Sequence, residues 1–362
     1  MDQRQVEPVL QGGGVPGGRF SNNFDFLRFA AATLVVVAHA YALQIGYSQI
    51  GLHDPVMLVG RAALAALLAA SGYLIAASWE STASLLRFAW KRFLRVAPAL
   101  IPAILVTLFL VGPLMTSFPR GDYFAALLSP EGLAAVPFFE NGCVIGLFQE
   151  NPVTYVNGSL WTIPLEVALY GVVAALGAAG LLHRRGALPA LIAVNILVWF
   201  YWFDDARMAK VRFSLYFLVG AFLYLHRERL TLRPAIAGGL FILLVVSAMT
   251  PLATLAGVIA IPYITIYAAH IPIPLLNTFG RYGDFSYGIY LYHYPVQQTL
   301  IQVTANTLTL PTLFGVSFLV AFAFAFFSWH AIEKRALAAK NLNTTDLWRV
   351  LGLSPRPELI GR

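Results

Sequence analysis

Apolar stretches of about twenty residues alternate with short polar segments along most of the chain. A helix of roughly twenty residues crosses the hydrocarbon core of a bilayer, so each stretch is a candidate transmembrane helix. The apolar windows predict spans near residues 24–46, 56–78, 96–116, 160–182, 187–203, 210–226, 235–250, 252–270, 284–303 and 310–332. A break at Thr250 and Pro251 leaves open one tilted helix or two short ones. The pattern predicts an all-α integral membrane protein with about ten transmembrane helices.

The positions of lysine and arginine orient these predicted spans, because cytoplasmic loops retain basic residues. An N-terminus inside the cell leaves only Arg120, Arg207 and Lys210 among the loop bases on the outer side. We therefore expect both termini in the cytoplasm. The longest loop, about 117–158, then lies outside, where it either caps an external cleft or is a structured loop without ligand contact.

Composition agrees with a location in a membrane. Of the 362 residues, 59% are apolar and 11% are charged, and the mean hydropathy is +0.71. The net charge of +7 does not indicate a nucleic-acid partner, because the bases sit in short clusters between apolar runs. A single cysteine, Cys143, allows neither an internal disulfide nor a cysteine-rich metal cluster, and we expect no metal and no permanently bound cofactor.

The apolar stretches leave no gap wide enough for a separate soluble domain. We expect a flexible cytoplasmic tail at 1–22, one membrane domain at 23–335 and a cytoplasmic tail at 336–362. The glycine-rich composition of residues 12–18 is typical of a flexible tail rather than a cleaved signal peptide.

The first predicted span carries three ionisable residues, Asp25, Arg28 and His39. Eleven residues of helix turn through about 1100° and advance roughly 16 Å, so Arg28 and His39 share a face. Asp25 lies three residues before Arg28 and can pair with it. His39 exchanges a proton near neutral pH and suits a general base, although a histidine satisfied by a neighbouring helix is the alternative.

Two further charges fall inside predicted spans. Arg61 lies near the outer end of the second span and needs an acidic partner, and Glu166, which we place about one turn inside the outer boundary of the fourth span, is a candidate. Glu166 would either orient His39 or neutralise Arg61, and the sequence leaves both open. Ser71 and Gly72 are typical of close helix packing.

A basic cluster precedes the third span. Arg92 and Arg95 are three residues apart on a predicted helix, so both guanidinium groups can bind one polyphosphate, such as that of coenzyme A. The alternative is an ordinary cytoplasmic cluster that contacts anionic lipid.

The last two predicted spans also carry polar side chains. Tyr287, Tyr290 and Tyr294 form a helical stripe beside His293, which indicates either packing or the wall of a cavity. Glu333 ends the tenth span, where snorkelling to the inner interface is the default interpretation for the charged residues.

Together these residues resemble the membrane-bound acyltransferase family 3 over about 22–335. The resemblance rests on five segments, which are Phe24 to Arg28 with His39, Ser71 to Ile75, Arg92 to Arg95 with Pro98, Ser159 to Thr162 with Glu166 and Tyr170, and Ser286 to His293. Two departures are Leu67 and Leu68, which replace an aromatic pair, and a missing proline near Arg335. Loss of the two rings would reshape the cavity.

The resemblance implies a multi-pass inner-membrane enzyme. It would move an acyl group, usually acetyl, from cytoplasmic acyl-coenzyme A to a hydroxyl of a surface polysaccharide, a lipid-linked sugar or a small secreted molecule. The resemblance makes His39 the catalytic residue, assigns Arg28, Arg92 and Arg95 to the donor, and links Glu333 to function. We expect the catalytic and substrate-binding residues to be His39, Glu166, Asp25, Arg28, Arg61, Arg92, Arg95, Trp161, Tyr287, His293 and Glu333.

Membrane lipids, acyl-coenzyme A and a carbohydrate or other hydroxyl-bearing acceptor are the expected partners. The competing class is a secondary transporter or exporter of a sugar or acyl compound, because ten spans with buried charges fit that class too. A purely structural membrane protein is a third class. It would tolerate alanine at His39, Arg28 and Arg92 together.

Overall fold

The computed structural model describes residues 22–82, 84–135, 146–201, 208–250 and 252–341, and in these ranges it contains helices and no strand. The helices are α1 (Phe24–Ile45), α2 (Pro55–Glu80), α3 (Leu85–Val106), α4 (Gly112–Met115), α5 (Arg120–Leu127), α6 (Pro130–Ala135), α7 (Thr162–Ala178), α8 (Ala187–Tyr201), α9 (Met208–Leu225), α10 (Pro234–Ser247), α11 (Ala253–His270), α12 (Pro274–Asn277), α13 (Ser286–Val303), α14 (Leu310–Ser328) and α15 (Lys334–Ala338). Nearly all of both predicted tails, Cys143 and Arg207 lie outside the described residues.

Five helical stretches of the described chain are long and apolar enough to cross a membrane. They are Phe24–Ile45, Pro55–Glu80, Leu85–Met115, Ala253–His270 and Leu310–Ala338. Each of the ten predicted spans overlaps a helix of the structure, and the break near Thr250 separates two helices, because α10 ends at Ser247 and α11 begins at Ala253. The all-helical membrane class is confirmed, whereas the number of spans and the side of each terminus stay predictions.

The chain divides into two compact units. Unit 1 comprises Met1–Ala42, Ser48–Ala77 and Leu182–Ser286. Its helices approach closely where residues are small: a Cβ on Gly72 would collide with the backbone of Phe217, and one on Gly60 would collide with Ala38. Small residues let helices pack backbone to backbone in lipid. The packing interpretation of Gly72 is confirmed.

Unit 2 comprises Leu43–Tyr47, Ser78–Leu181 and Tyr287–Arg362. Two of its long helices contain a π-helical turn, at Thr107–Val111 between α3 and α4 and at Trp329–Glu333 between α14 and α15. A π turn shifts the side chains that follow it around the helix axis, and such turns are frequent at functional sites.

The segment before α7 is buried without forming a helix. Asn151 Nδ2 donates to the carbonyl oxygen of Gln298 at 3.0 Å, and Asn157 Nδ2 donates to that of Leu291 at 2.9 Å, so residues 151–157 run along α13. Gln298 Nε2 donates in return to the carbonyl oxygens of Val153 and Tyr155 at 2.7 and 2.6 Å. Buried amide side chains thus replace the hydrogen bonds that lipid cannot supply.

The end of the predicted loop 117–158 is thus part of the packed interior of unit 2, and the side of the membrane on which this loop lies stays a prediction. The hydroxyl oxygen of Thr162, the first residue of α7, lies 2.8 Å from the Tyr290 hydroxyl, only one turn after α13 begins. Helix α7 therefore begins at a buried position inside unit 2, and the depth of Glu166 in the membrane stays a prediction. Alternating hydrophobicity cannot reveal a polar segment that is buried against a helix.

Candidate active site

Arg28 is held by a carboxylate that does not come from its own helix. Its Nη1 lies 2.9 Å from Asp284 Oδ2, and both side chains are largely buried, at 25% and 15% exposed. The Ser286 hydroxyl donates to the other carboxylate oxygen, Oδ1, at 2.5 Å. Because both oxygens of Asp284 are engaged, the carboxylate is fixed and fixes the guanidinium group in turn.

Asp25, the partner expected for Arg28, packs against Gly280. A Cβ at position 280 would collide with Asp25 Oδ2, so only glycine allows the two segments to lie this close. The Phe279 ring packs on both Phe26 and Phe29, with centroids 5.6 and 5.1 Å apart. The first turn of α1 is thereby anchored on the segment 279–284.

His39 lies on the same continuous helix, eleven residues after Arg28, and is half-buried. Its neighbours Ala38 and Ala40 are 3% and 0% exposed, and Gly60 of α2 packs against Ala38. The predicted shared face of Arg28 and His39 follows from the unbroken α1 helix, which separates them by roughly 16 Å along its axis.

The helix end beyond His39 is tied to the start of α2. The Tyr41 hydroxyl donates to Asp54 Oδ2 at 2.8 Å, and Asp54 Oδ1 accepts the backbone N–H groups of Val56 and Met57 at 2.9 and 3.0 Å. The Met57 N–H is the main reason that the pKa of Asp54 is lowered. Asp54 is thus the N-cap of α2 and a tether for α1.

Arg61 points back along its own helix towards this cap. Its Nη1 donates to the carbonyl oxygen of Leu52 at 2.9 Å, and its charge attracts the Asp54 carboxylate. These contacts lie within unit 1. They give Arg61 the role of fixing the loop that enters α2.

Arg92 is surrounded by rings and a hydroxyl group. Its Nη2 donates to Ser78 Oγ at 3.3 Å, and its guanidinium carbon lies 5.8 Å from the Phe88 ring centroid and 6.0 Å from that of Tyr170. Ring faces at this distance attract a guanidinium group and favour its charged form.

Tyr287 brings three predicted site residues together. The Arg95 guanidinium carbon lies 5.5 Å from the Tyr287 ring centroid, and the Tyr287 hydroxyl donates to the carbonyl oxygen of Val96 at 3.2 Å. The carboxylates of Glu166 and Glu333 both lie close enough to act electrostatically on this hydroxyl. Arg95, Glu166, Tyr287 and Glu333 therefore form one polar cluster inside unit 2.

Glu333 does not snorkel. It is 2% exposed at the end of the π turn, and its Oε1 accepts the Ser328 hydroxyl at 2.9 Å. The π turn changes which side of the helix faces inward, so the interfacial interpretation was wrong for this residue.

His293 is 0% exposed, and its Nδ1 lies 3.1 Å from the carbonyl oxygen of Ile289, to which it donates. The rings of Tyr290 and Tyr294 flank it at 5.9 and 6.2 Å. The structure therefore favours packing over a cavity wall at this position. Trp161 is half-buried in the turn that opens α7.

Sequence reasoning missed Asp284 and Ser328. Asp284 follows Gly283 two residues before α13, a position where a carboxylate is favoured by the helix dipole, and this signal was available. Ser328 could not have been found, because its contact with Glu333 depends on the π turn.

Comparison with known proteins identifies the family to which the chain belongs. The model of an acyltransferase domain, acyltransferase family 3, matches residues 21–330. A protein named O-acetyl transferase from Shigella phage Sf6 is 28% identical over 337 residues, covering 88% of this chain and 96% of the phage protein. Nodulation protein 10 of Rhizobium leguminosarum bv. viciae is 27% identical over 333 residues, covering 78% of this chain and 84% of that protein. No solved structure matches significantly.

Proposed function

Since the chain belongs to the acyltransferase-3 family and is an O-acyltransferase, we propose that it transfers acetyl from cytoplasmic acetyl-coenzyme A to a carbohydrate hydroxyl across the inner membrane. The acceptor is a surface polysaccharide, a lipid-linked sugar or a small secreted molecule. The position of His39 on one helix face with a firmly held Arg28 is the observation that carries this proposal.

His39 acts as the general base. Its neutral imidazole takes the proton of the acceptor hydroxyl while the hydroxyl oxygen attacks the thioester carbonyl carbon. The carbon–sulfur bond then breaks, and the coenzyme A thiolate leaves and recovers the proton from the imidazolium. The partial exposure of His39 supports this role, because a base must reach the proton it removes.

Arg92 and Arg95 bind the phosphates of the donor. They lie one turn apart on α3. The Tyr170 ring lies beside the Arg92 guanidinium group, and the Tyr287 ring lies beside that of Arg95. Arg28 guides the acyl arm and is kept in one orientation by Asp284. We assign Glu166 to the Arg95 side, because its carboxylate acts on Tyr287.

The test is the acyl content of the host's surface glycans and secreted metabolites. Cells that express the wild type, His39→Ala or the control His183→Ala, an exposed histidine, are compared by mass spectrometry at equal membrane abundance. An acyl mass increment with the wild type and the control, but not with His39→Ala, is the expected result.

Equal increments in all three strains would remove His39 from catalysis. Acetyl-coenzyme A binding to purified wild-type protein is measured in parallel, and a protein that neither binds this donor nor releases its thiol would contradict the proposed donor.

A further inference from the structure

One end of unit 2 is built from side-chain amides. Here Gln302 Nε2 donates to the carbonyl oxygen of Met115 at 2.9 Å, and Asn306 Nδ2 donates to that of Gln44 at 3.0 Å. Gln44 Nε2 donates onward to the carbonyl oxygen of Leu308 at 2.7 Å. These bonds place the ends of α4, α1 and α13 side by side.

Two amide oxygens at this end accept no hydrogen bond from the described protein residues. Gln302 Oε1 and Asn306 Oδ1 are buried and find no protein donor among the residues that the structure describes. Their orientation is fixed, because the NH₂ group of each amide points to a carbonyl oxygen. A buried acceptor without a donor costs free energy, which a hydroxyl group from a ligand would recover.

Tyrosines complete the same surface. Tyr47 and Tyr155 are 38% and 44% exposed. The Tyr294 hydroxyl hydrogen-bonds with the Tyr47 hydroxyl, and Tyr155 acts on the same group electrostatically. Two partly exposed tyrosines thus lie beside the polar side chains at this end of α13.

The polar surface continues along α13. Tyr294, Gln298 and Gln302 follow one another at four-residue intervals and form a polar stripe on one face of the helix. Gln298 holds the carbonyl oxygen of Tyr155 and thereby keeps the Tyr155 segment beside this stripe.

The charge at this end is unfavourable to anions. In the described parts of 116–160 the charged side chains are one base, Arg120, and three acids, Asp122, Glu131 and Glu150. A ligand without negative charge is therefore preferred.

This surface lies at the opposite end of unit 2 from the arginines. Arg92 and Met115 are 23 residues apart on one helical rod, which corresponds to about 35 Å. That length exceeds the hydrocarbon thickness of a bilayer, about 30 Å. A donor at Arg92 and a ligand at the amide end would thus lie on opposite faces of the membrane.

We propose that Tyr47, Tyr155, Gln302 and Asn306 bind the acceptor, and that this acceptor is a neutral carbohydrate. Sugar hydroxyls donate to the two amide oxygens, and the apolar faces of the sugar rings pack on the two tyrosines. The inference rests on the proposed function and names the acceptor class of the same enzyme.

The test uses the full-length protein in detergent on an array of neutral and uronic-acid-bearing oligosaccharides. The wild type should bind neutral oligosaccharides preferentially, and Tyr155→Ala should weaken that binding at least tenfold. Tyr201→Ala, which removes a 79% exposed ring of unit 1, is the matched control and should bind like the wild type.

Acetyl-coenzyme A binding is measured on the same preparations and should change less than twofold in Tyr155→Ala. Tyr155→Phe, which keeps the ring, should retain most of the sugar binding and guards against a folding defect. Preference for acidic oligosaccharides, binding to none of them, or unchanged binding by Tyr155→Ala would overturn the proposal. A wild-type protein that does not bind acetyl-coenzyme A would instead overturn the proposed function.

Discussion

The two membrane histidines of the candidate site, His39 on α1 and His293 on α13, have opposite surroundings. His39 is half-buried between small residues, whereas His293 is fully enclosed and donates its Nδ1 proton to the Ile289 carbonyl oxygen. Both looked like candidates for chemistry because ionisable groups are costly in lipid. The difference teaches that burial alone does not indicate catalysis, since a catalytic base must also be reachable by the proton it accepts.

The variant with the largest expected effect on this difference between the two histidines is His39→Gln. Glutamine keeps a polar side chain but cannot accept and return a proton near neutral pH, so we expect acyl transfer to fall by about 10²–10⁴-fold. Thiol release from acetyl-coenzyme A in the presence of acceptor glycans measures it. Activity within a few-fold of the wild type would show that His39 is not the base.

The converse change is His293→Ala. Because this variant removes an enclosed, hydrogen-bonded side chain, we expect a loss of roughly 1–3 kcal/mol in the free energy of unfolding. Activity per folded molecule should fall less than threefold. A lower unfolding midpoint in detergent with retained turnover supports the structural role, and the reverse pattern would place His293 in the reaction.

A third change concerns what holds the His39 helix at its Arg28 end. Asp284→Asn leaves the shape of the side chain but removes the charge that fixes Arg28, so the KM for acetyl-coenzyme A should rise about tenfold, or about 1.4 kcal/mol. Asp284→Glu should recover part of the loss. An unchanged KM in Asp284→Asn would separate this ion pair from donor binding.

The smallest effect is expected at the other end of α1, where Tyr41 is tethered to Asp54. The Met57 N–H, the Tyr41 hydroxyl and the Arg61 charge stabilise the ionised carboxylate, so its pKa is lower in the folded than in the unfolded state. The stabilisation is present above the unfolded pKa, about 3.9, and is lost as the pH falls through the lower folded value.

Asp54→Asn should therefore lower the unfolding midpoint at neutral pH and flatten its decline below about pH 4. Unfolding midpoints measured from pH 3 to 7 test this expectation. Parallel curves for the variant and the wild type would contradict it.

Much of the helix order followed from the sequence, because hydrophobic length is strongly constrained in lipid. The shared face of Arg28 and His39 followed from helix geometry alone. Arg28's bond to Asp284 did not, since it joins residues 256 positions apart. Likewise, the burial of Glu333 depends on a π turn, and the packing of residues 151–157 depends on amide bonds to α13. Neither leaves a periodic signal in the sequence.

The buried segment along α13 also constrains the order in which the protein can be made. Asn151 and Asn157 precede their partners on α13 by 147 and 134 residues. During synthesis these side-chain amides have no α13 to bind until most of the chain has emerged. We therefore expect the segment to wait in water at the bilayer surface and to enter the bundle only as a late assembly step. A ribosome-stalled chain that ends before α13 should accordingly leave residues 151–160 open to protease, and a completed chain should protect them.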